Sequence, residues 1–299
     1  MVAGNTALQR VWWLAMAGLR TYIRVFLTFA ANSLARDMTF RMNFILQSIS
    51  SMSWAIMNLG FYLIIFSHVS EIGTGTGWGR YEFFVFLGTT WIINSLVQAF
   101  CMPNMHEFSE LIRTGQLDFA LLKPIDTQFL ISFRRVEWSA LANCLLGASL
   151  LAIGLYQLAH RPQWSLSLSP LIVGLYLFYI ACGVLILYSL MISLASTSIW
   201  LGRNQTLYDF WFYITNFSRY PMEIYQRGWG YALWGLFTFV IPVLLVVNVP
   251  ARIMARPLTP APSLPWWMAW LTLGVTVAAL FISRRVFRLA LQSYRSASS

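Results

Sequence analysis

The sequence has 299 residues, of which 58% are hydrophobic and only 10% are charged. Soluble domains carry about 25% charged residues, so this composition excludes a water-soluble protein and predicts an integral membrane protein. The net charge of +10 comes from basic residues that flank apolar stretches, which favours membrane orientation over nucleic-acid binding. The three cysteines and three histidines are scattered, and their spacing predicts neither disulfides nor a metal site.

Six membrane-spanning helices are predicted from the distribution of apolar residues. About 20 apolar residues in helical form cross a bilayer core, and a helix satisfies its own backbone groups inside lipid. The sequence therefore predicts an all-α polytopic membrane protein with a single transmembrane domain over residues 1–299. The five evident spans are Phe44–Phe66 and Phe83–Met102 within 44–102, Trp138–Leu158 and Leu171–Ile199 within 138–199, and Trp266–Ser283.

Residues 1–43 precede the first span and are expected to form an amphipathic helix in the membrane interface. Arg20 and Arg24 share one face and interrupt the apolar run, so a cleavable signal peptide is not expected. The alternative is a tilted extra span, which would bury both arginines in lipid. The apolar face that favours an interfacial helix consists of Val11, Ala15, Leu19, Tyr22, Ile23 and Phe26.

Basic residues are unevenly distributed between the predicted loops, which predicts the orientation of the chain. They are frequent in the amino-terminal segment, in 103–137 and in the tail 284–299, whereas the loops after the first and third spans hold few. Lys and Arg are enriched on the cytoplasmic side of membrane proteins. Both termini and the loop 103–137 are therefore predicted to be cytoplasmic, with an even number of spans.

The glycine-rich stretch Gly73–Gly79 does not fit a nucleotide-binding loop. It lacks the Lys-Ser/Thr pair of a P-loop and lies in a predicted outer loop, so a flexible external turn is expected. No Walker motif occurs elsewhere in the sequence. Any ATP hydrolysis linked to this protein is therefore predicted to occur on another subunit.

The predicted cytoplasmic loop 103–137 contains a short amphipathic helix. Asn104 and Glu107 resemble a capping box at its start, and Gly115 fits a carboxyl-terminal cap. Such a helix either rests on lipid headgroups or docks into a groove of a soluble partner and transmits its motion. The apolar face of the helix consists of Met105, Phe108, Leu111 and Ile112, and its polar face of Glu107, Glu110 and Arg113.

Three stretches of the sequence carry a resemblance to a known family. The most specific one is LIRTGQLDFALLKPID at residues 111–126, which resembles the cytoplasmic loop of bacterial ABC transporter permeases of the ABC-2 class (exporter type). FSRYPMEIY at 217–225 is similar to the segment before the last span of these proteins, and QSYRS at 292–296 resembles their carboxyl end. The resemblance covers roughly residues 20–299.

The resemblance implies the membrane subunit of an ATP-driven exporter in the bacterial inner membrane. Two permease chains, identical or paralogous, would bind two cytoplasmic ABC ATPase subunits and move a substrate by alternating access. ATP and Mg²⁺ would be bound by the ATPase subunits, so this chain is expected to be neither an enzyme nor the holder of a cofactor. The segment 1–43 matches the interfacial elbow helix of the class.

The same resemblance implies that the loop carries the coupling helix, at about residues 104–122, which contacts the ATPase. A second apolar run, Leu117–Leu122, follows the first helix and ends before Pro124. The residues at matching positions are Asn104, Glu107, Phe108, Glu110, Leu111, Arg113 and Asp118.

Two topologies compete for residues 204–250. In one, Tyr231–Pro250 is the fifth span and 200–230 is cytoplasmic. In the other, Asn204–Ser218 begins the fifth span and 219–250 forms a re-entrant helical hairpin on the outer side. The prolines of this region match the hairpin that the ABC-2 class has before its last span, so we favour the second topology.

Acidic side chains are scarce near membrane depth, and an acid there is a functional candidate by default. Beside aromatic rings, carboxylates would attract a hydrophobic cation through charge and cation–π interactions. Alternatively, Asp209 pairs with Arg203, and Glu223 pairs with Arg219 or Arg227. The candidate substrate-pathway residues are Asp209, Trp211, Tyr213, Tyr220 and Glu223.

Two other function classes are less consistent with the sequence. A stand-alone secondary transporter or channel would need intramembrane charges or internal repeats, and neither is evident. A polytopic membrane enzyme would need paired acids, a metal cluster or a nucleophile with its base, and the sequence assembles none of these.

Overall fold

The computed structural model describes residues 4–73, 76–160, 169–201, 206–255 and 265–294, with side chains from residue 18 onward except 206–211. These ranges are helical and contain no β-strand. The α-helices are α1 Gly4–Thr39, α2 Arg41–His68, α3 Arg80–Phe100, α4 Met102–Arg113, α5 Leu117–Leu121, α6 Thr127–Phe133, α7 Leu141–Ala159, α8 Pro170–Ser196, α9 Ser198–Leu201, α10 Thr206–Phe217, α11 Gly230–Gly235, α12 Val243–Ala255 and α13 Trp266–Ser293.

Within the described ranges, five helical segments are long and apolar enough to cross a membrane. They are Arg41–His68, Arg80–Arg113, Trp138–Ala159, Pro170–Leu201 and Trp266–Ser293. A sixth candidate is the pair Gly230–Val240 and Val243–Ala255, which is bent by 88°. The prediction of an all-α polytopic membrane protein is confirmed, and the chain is a multi-pass membrane protein.

Helices α3 and α7 approach each other closely at two glycines. A Cβ atom on Gly88 would lie 2.7 Å from the carbonyl oxygen of Gly147, and one on Gly147 would lie 2.8 Å from that of Gly88. Small residues of this kind allow helix backbones to meet in membranes, where van der Waals packing contributes much of the association. The contact fixes α3 against α7.

Helix α12 forms the centre of the described bundle. All its residues from Val243 to Ala255 are buried, and it packs against α8 and α3. Gly183 of α8 lets it approach, because a Cβ there would lie 2.8 Å from the carbonyl oxygen of Val246. A charged or hydrogen-bonding residue of α12 therefore needs its partner inside the protein.

The segment around residue 223 lies beside the loop that joins α2 to α3. The indole nitrogen of Trp78 donates to the carboxylate of Glu223 at 2.9 Å. Leu201, in contrast, ends α9, which contacts α4 at the opposite end of α3. The chain therefore crosses the bundle between residues 201 and 223, which agrees with the re-entrant topology and disagrees with a cytoplasmic 200–230.

The loop between α2 and α3 is only partly the flexible turn that the sequence predicts. Residues 74–75 lie outside the described ranges. Gly73 and Gly77 have positive φ angles, as expected of a turn. Trp78, however, is fully buried and its ring packs against Phe86 at 5.3 Å, so this end of the loop is anchored in the core.

Helix α1 extends over most of the predicted interfacial segment. Val11 and Ala15 lie where side chains are not described. Beyond them, Tyr22 packs edge-on against Phe129 at 4.7 Å, whereas Leu19 and Ile23, predicted on the same face, are exposed. The inward face is rotated from the predicted one and consists of Tyr22, Val25, Phe26, Phe29, Ala30 and Ser33.

Candidate functional site

The apolar face of α4 packs against the chain's own helices. Phe108 is fully buried, and its ring centre lies 6.0 Å from that of Phe287 in α13. Met105 and Leu111 are buried as well. The amphipathic character of α4 is confirmed. Phe108 and Leu111 face the bundle, and their role in coupling to the ATPase stays a prediction.

Asn104 joins the two ends of the loop between α3 and α7. Its side-chain nitrogen donates to the carbonyls of Phe100, at 2.8 Å, and Arg135, at 2.7 Å. Its side-chain oxygen accepts from the Arg135 backbone N–H at 2.8 Å. The predicted capping box is wrong, because the helix begins at Met102 and no side chain caps it. The buried Asn104 clamps the two ends of the loop, and its role in coupling stays a prediction.

The polar face of α4 carries the remaining predicted residues. Arg113 donates to both oxygens of Glu110, at 2.6 and 3.0 Å. Glu107 forms an ion pair with Arg134 at 3.3 Å. The predicted cap Gly115 has a φ of 70° directly after the helix. Glu110 and Arg113 are exposed and available to a partner.

Helix α5 exposes an apolar surface that sequence reasoning missed. Phe119 is 70% exposed and Leu122, which follows the helix, is 81% exposed. Leu117 and Ala120 face inward and are buried. Residues three apart share a helix face, so the run carries two apolar faces, one for the core and one turned outward. That double pattern in LDFALL is the signal that could have identified the outward face.

Asp118 interacts with Tyr294 at the carboxyl end of α13. Burial first, and then the Asp118 carboxylate, raise the pKa of Tyr294. The side chain of Asp118 is only partly exposed. The predicted coupling residues therefore differ in exposure. Glu110 and Arg113 are exposed, and Glu107 and Asp118 are partly exposed. The buried ones are Asn104, Phe108 and Leu111.

Asp126 connects the loop to two other helices. It caps α6 by accepting from the Phe129 N–H at 3.0 Å, and Arg284 of α13 donates to both of its carboxylate oxygens. The hydroxyl of Tyr22 in α1 accepts from the backbone N–H of Asp126 at 3.3 Å. The hydrogen bond from Arg284 holds the pKa of Asp126 below its usual range.

A second connection runs from the same point to α8. Arg284 also donates to the side-chain oxygen of Gln128 at 2.8 Å. The side-chain nitrogen of Gln128 donates to the hydroxyl of Tyr188 at 3.1 Å, and Ser132 lies 2.8 Å from that hydroxyl. The loop is thus hydrogen-bonded to α1, α8 and α13, and displacement of α6 would be felt by all three helices.

Replacing Arg284 with glutamine should lower the free energy of unfolding by about 1 kcal/mol at pH 7. The loss is small because the side chains of Arg284 and Asp126 are both about one-third exposed, so solvent screens their ion pair. The pKa of the Asp126 carboxyl is lowered in the folded state. The stabilisation from the ion pair is therefore fully present above the ordinary pKa of an aspartate, and it is lost as the pH falls through the lowered pKa. The difference between variant and parent should therefore shrink between pH 5 and about 3. Thermal unfolding across this pH range measures it, and a difference independent of pH contradicts the assignment.

Glu223, a predicted pathway residue, forms a buried ion pair with Arg252 of α12. The side chains are 17% and 7% exposed, and the Glu223 oxygen that accepts from Arg252 also accepts from Trp78. The predicted partners, Arg219 and Arg227, are wrong. Asn248 of α12 accepts from the Met222 backbone N–H at 2.8 Å and holds the same turn.

The other predicted pathway residues do not join Glu223. Tyr213 is 65% exposed and Tyr220 is 40% exposed, whereas Glu223 points inward. Asp209 and Trp211 lie where side chains are not described, and Arg203 lies outside the described residues. The pathway role of these five residues stays a prediction, and for Glu223 the charge that would attract a cation is already compensated.

The comparison with known proteins agrees with this architecture. A family model described as ABC-2 family transporter protein matches residues 52–298, which include the loop between α3 and α7 and all of α3 to α13. No curated protein and no solved structure matches the chain. Members of this family are membrane permease subunits that associate with an ABC ATPase. The family predicted from the loop sequence is confirmed: the chain belongs to the ABC-2 family of transporter proteins.

Proposed function

We propose that the chain is the permease subunit of an ATP-driven exporter and that α5 is its contact to the ATPase subunit. The observation that carries the proposal is the exposed apolar pair Phe119 and Leu122 on a loop that is otherwise fixed to the bundle. Exposed aromatic and aliphatic anchors of this kind fill pockets at the centre of interfaces. The exposed ion pair Glu110–Arg113 would form part of the polar rim.

The contacts of the loop support a route from the ATPase to the membrane helices. ATP-driven movement of the ATPase would displace α5 and, with it, α4 and α6. The Phe108–Phe287 contact and the Asp126–Arg284 pair would pass this displacement to α13, and Gln128 with Tyr188 would pass it to α8. Helices α8 and α13 both pack on the buried α12.

Transport would follow from alternating access between two conformers of a permease pair. Nucleotide and substrate must prefer different conformers, since a ligand with equal affinity for both shifts nothing. The assembly would contain a second permease chain, identical or paralogous, and two ATPase subunits that bind ATP and Mg²⁺. Both termini would be cytoplasmic, in the inner membrane of a bacterium.

Substitution of Phe119 by aspartate tests this assignment. A charge at the centre of an apolar contact should reduce the amount of ATPase that co-purifies with the permease at least tenfold, because one interface anchor contributes 2 kcal/mol or more. The measurement is the ratio of ATPase to permease in complexes purified from the native membrane. The ATP hydrolysis rate of the purified complex gives a second reading.

Leu289→Asp serves as the matched control, since Leu289 is 56% exposed near the carboxyl end of α13 and lies outside the loop. It should leave the ratio unchanged. Equal ratios for Phe119→Asp and the parent protein would contradict α5 as the contact. A permease that carries no ATPase in any variant would favour a stand-alone secondary transporter or channel.

A further inference from the structure

A polar groove runs along the membrane-spanning part of the bundle between α2, α3 and α7. Amide side chains line it from all three helices: Asn58 from α2, Asn94 and Gln98 from α3, and Asn143 from α7. The rings of Trp54, Tyr62 and Trp91 complete the walls. Polar side chains at this depth are costly and mark substrate pathways or polar contacts between helices.

The lining of the groove extends over about three turns of α3. Its lining on α3 runs from Leu87 to Gln98, which corresponds to about 16 Å along the helix. One end lies near Arg219, on the side of the α2–α3 loop, and the other near Asn143, at the first turn of α7. The groove therefore runs lengthwise between the helices.

The amides in the groove are not used to hold the helices together. Among the described residues, Asn58, Asn94, Gln98 and Asn143 make no side-chain hydrogen bond, and the Asn143 side-chain oxygen is buried without a partner. A buried polar atom without a partner costs about 1–3 kcal/mol, so a ligand that donates a hydrogen bond to the Asn143 oxygen would remove this cost. These amides therefore differ from Asn104 and Asn248, which both hold backbone groups.

The charge of the groove selects between ligand classes. Arg219 is the one charged residue among the described residues of the lining, and its guanidinium lies 5.7 Å from the centre of the Phe212 ring. The lining contains no carboxylate that would attract a cation. The guanidinium of Arg219 and the amide side chains of the same groove instead suit a headgroup that is anionic and accepts hydrogen bonds.

The size of the groove limits what it can enclose. Its volume of about 90 Å³ is far below the roughly 300–1,000 Å³ of pockets that enclose drug-sized ligands. A phosphate or carboxylate headgroup fits this space. An attached acyl chain would lie outside, along the exposed side of α2, where Trp54 is 58% exposed.

We propose that this groove binds the headgroup of an anionic amphiphile and that such an amphiphile is the class of substrate that the permease moves. The identification as substrate rests on the proposed export function, whereas the binding itself does not. Arg219 receives the negative charge at one end, and Asn94 and Asn143 supply hydrogen bonds along the groove. This assignment differs from the cation pathway that the acidic residues of the sequence suggested.

The test measures binding to the full-length permease in nanodiscs of phosphatidylcholine, without the ATPase. Radiolabelled dodecyl phosphate is the anionic probe and dodecyltrimethylammonium the cationic one. Dodecyl phosphate should bind at least tenfold more tightly than dodecyltrimethylammonium. Arg219→Gln should weaken dodecyl phosphate binding about tenfold, since a hydrogen bond to a charged group contributes about 1.5–3 kcal/mol.

Three further variants make the result specific. Arg219→Lys should retain most of the affinity for dodecyl phosphate. Asn94→Ala should lose about fivefold, since a hydrogen bond contributes about 1 kcal/mol. Arg80→Gln, which removes a positive charge at the same end of the bundle as Arg219, should leave the affinity unchanged. Tighter binding of the cationic probe, or equal losses for Arg219→Gln and Arg80→Gln, would overturn the proposal. Neither result depends on ATPase docking, so a failure here is distinguishable from a failure of the proposed function.

Discussion

Replacing Arg252 with methionine should lower the free energy of unfolding by about 3–5 kcal/mol, because it leaves the carboxylate of Glu223 buried without its countercharge. Arg252 lies in α12, whose residues are all buried, and its side chain is only 7% exposed. The loss exceeds that of an ordinary surface substitution severalfold. Thermal unfolding of the purified protein, together with its yield from membranes, measures the effect.

The double variant Glu223→Gln with Arg252→Met is the decisive comparison. It removes both charges, so most of the lost stability should return, since apolar or neutral replacements of a buried pair are often close to neutral. Arg80→Met, at the same end of the bundle, controls for the loss of a positive charge alone. If the Arg252→Met variant were as stable as the parent protein, the Glu223–Arg252 pair would not hold α12 in place.

Asn104→Ala should destabilise the protein by about 1–3 kcal/mol, because it removes the hydrogen bonds that the buried Asn104 side chain makes to the backbone N–H and carbonyl of Arg135. The same change should reduce coupling, since Asn104 holds α4 against the chain that returns into α7. Thermal unfolding gives the stability, and ATPase co-purification with ATP hydrolysis gives the coupling.

Two further substitutions separate the clamp from a general effect on α4. Asn104→Asp keeps an acceptor for the Arg135 N–H but loses the donor, so it should be intermediate. Ser109→Ala, one turn further along α4, should be close to the parent protein. A fully stable Asn104→Ala variant would contradict the clamp and return Asn104 to the predicted docking role.

The membrane-spanning helices could be predicted from the sequence because hydropathy alone requires them. Lipid forces long apolar segments into helices whatever their neighbours, so all five evident spans are found in the structure. The helical segments Arg80–Arg113 and Trp266–Ser293 extend beyond the predicted ends, Met102 and Ser283, because helical structure continues past the apolar stretch. The bend between Gly230–Val240 and Val243–Ala255 was harder to predict from the sequence, because it depends on the packing of α12 between α3 and α8.

The partners of individual polar residues could not be predicted, because they are distant in the sequence. Asn104 resembles a cap locally but binds Arg135, thirty-one residues away. Glu223 was expected to pair with arginines one helical turn away, yet the 88° bend before α12 and the packing of that helix bring Arg252 to it. Local signatures suggest only partners that are close in the sequence, whereas tertiary packing brings distant residues together.

The amphipathic face of α4 shows a second kind of limit. Its periodicity correctly separates Phe108 from Glu110, but an apolar face is the same whether it packs on its own bundle or on a partner. The outward face of α5 and the groove between α2, α3 and α7 become visible only once exposure is known.

The most direct measurement of the central claim is photo-cross-linking in living cells of the source organism. A benzophenone amino acid replaces Phe119 in one variant and Trp229, which is 98% exposed beyond the other end of the bundle, in a second variant. Mass spectrometry then identifies what each position captures. The account predicts a P-loop ATPase subunit at position 119 and none at position 229. An ATPase captured at position 229 but not at position 119 would contradict it.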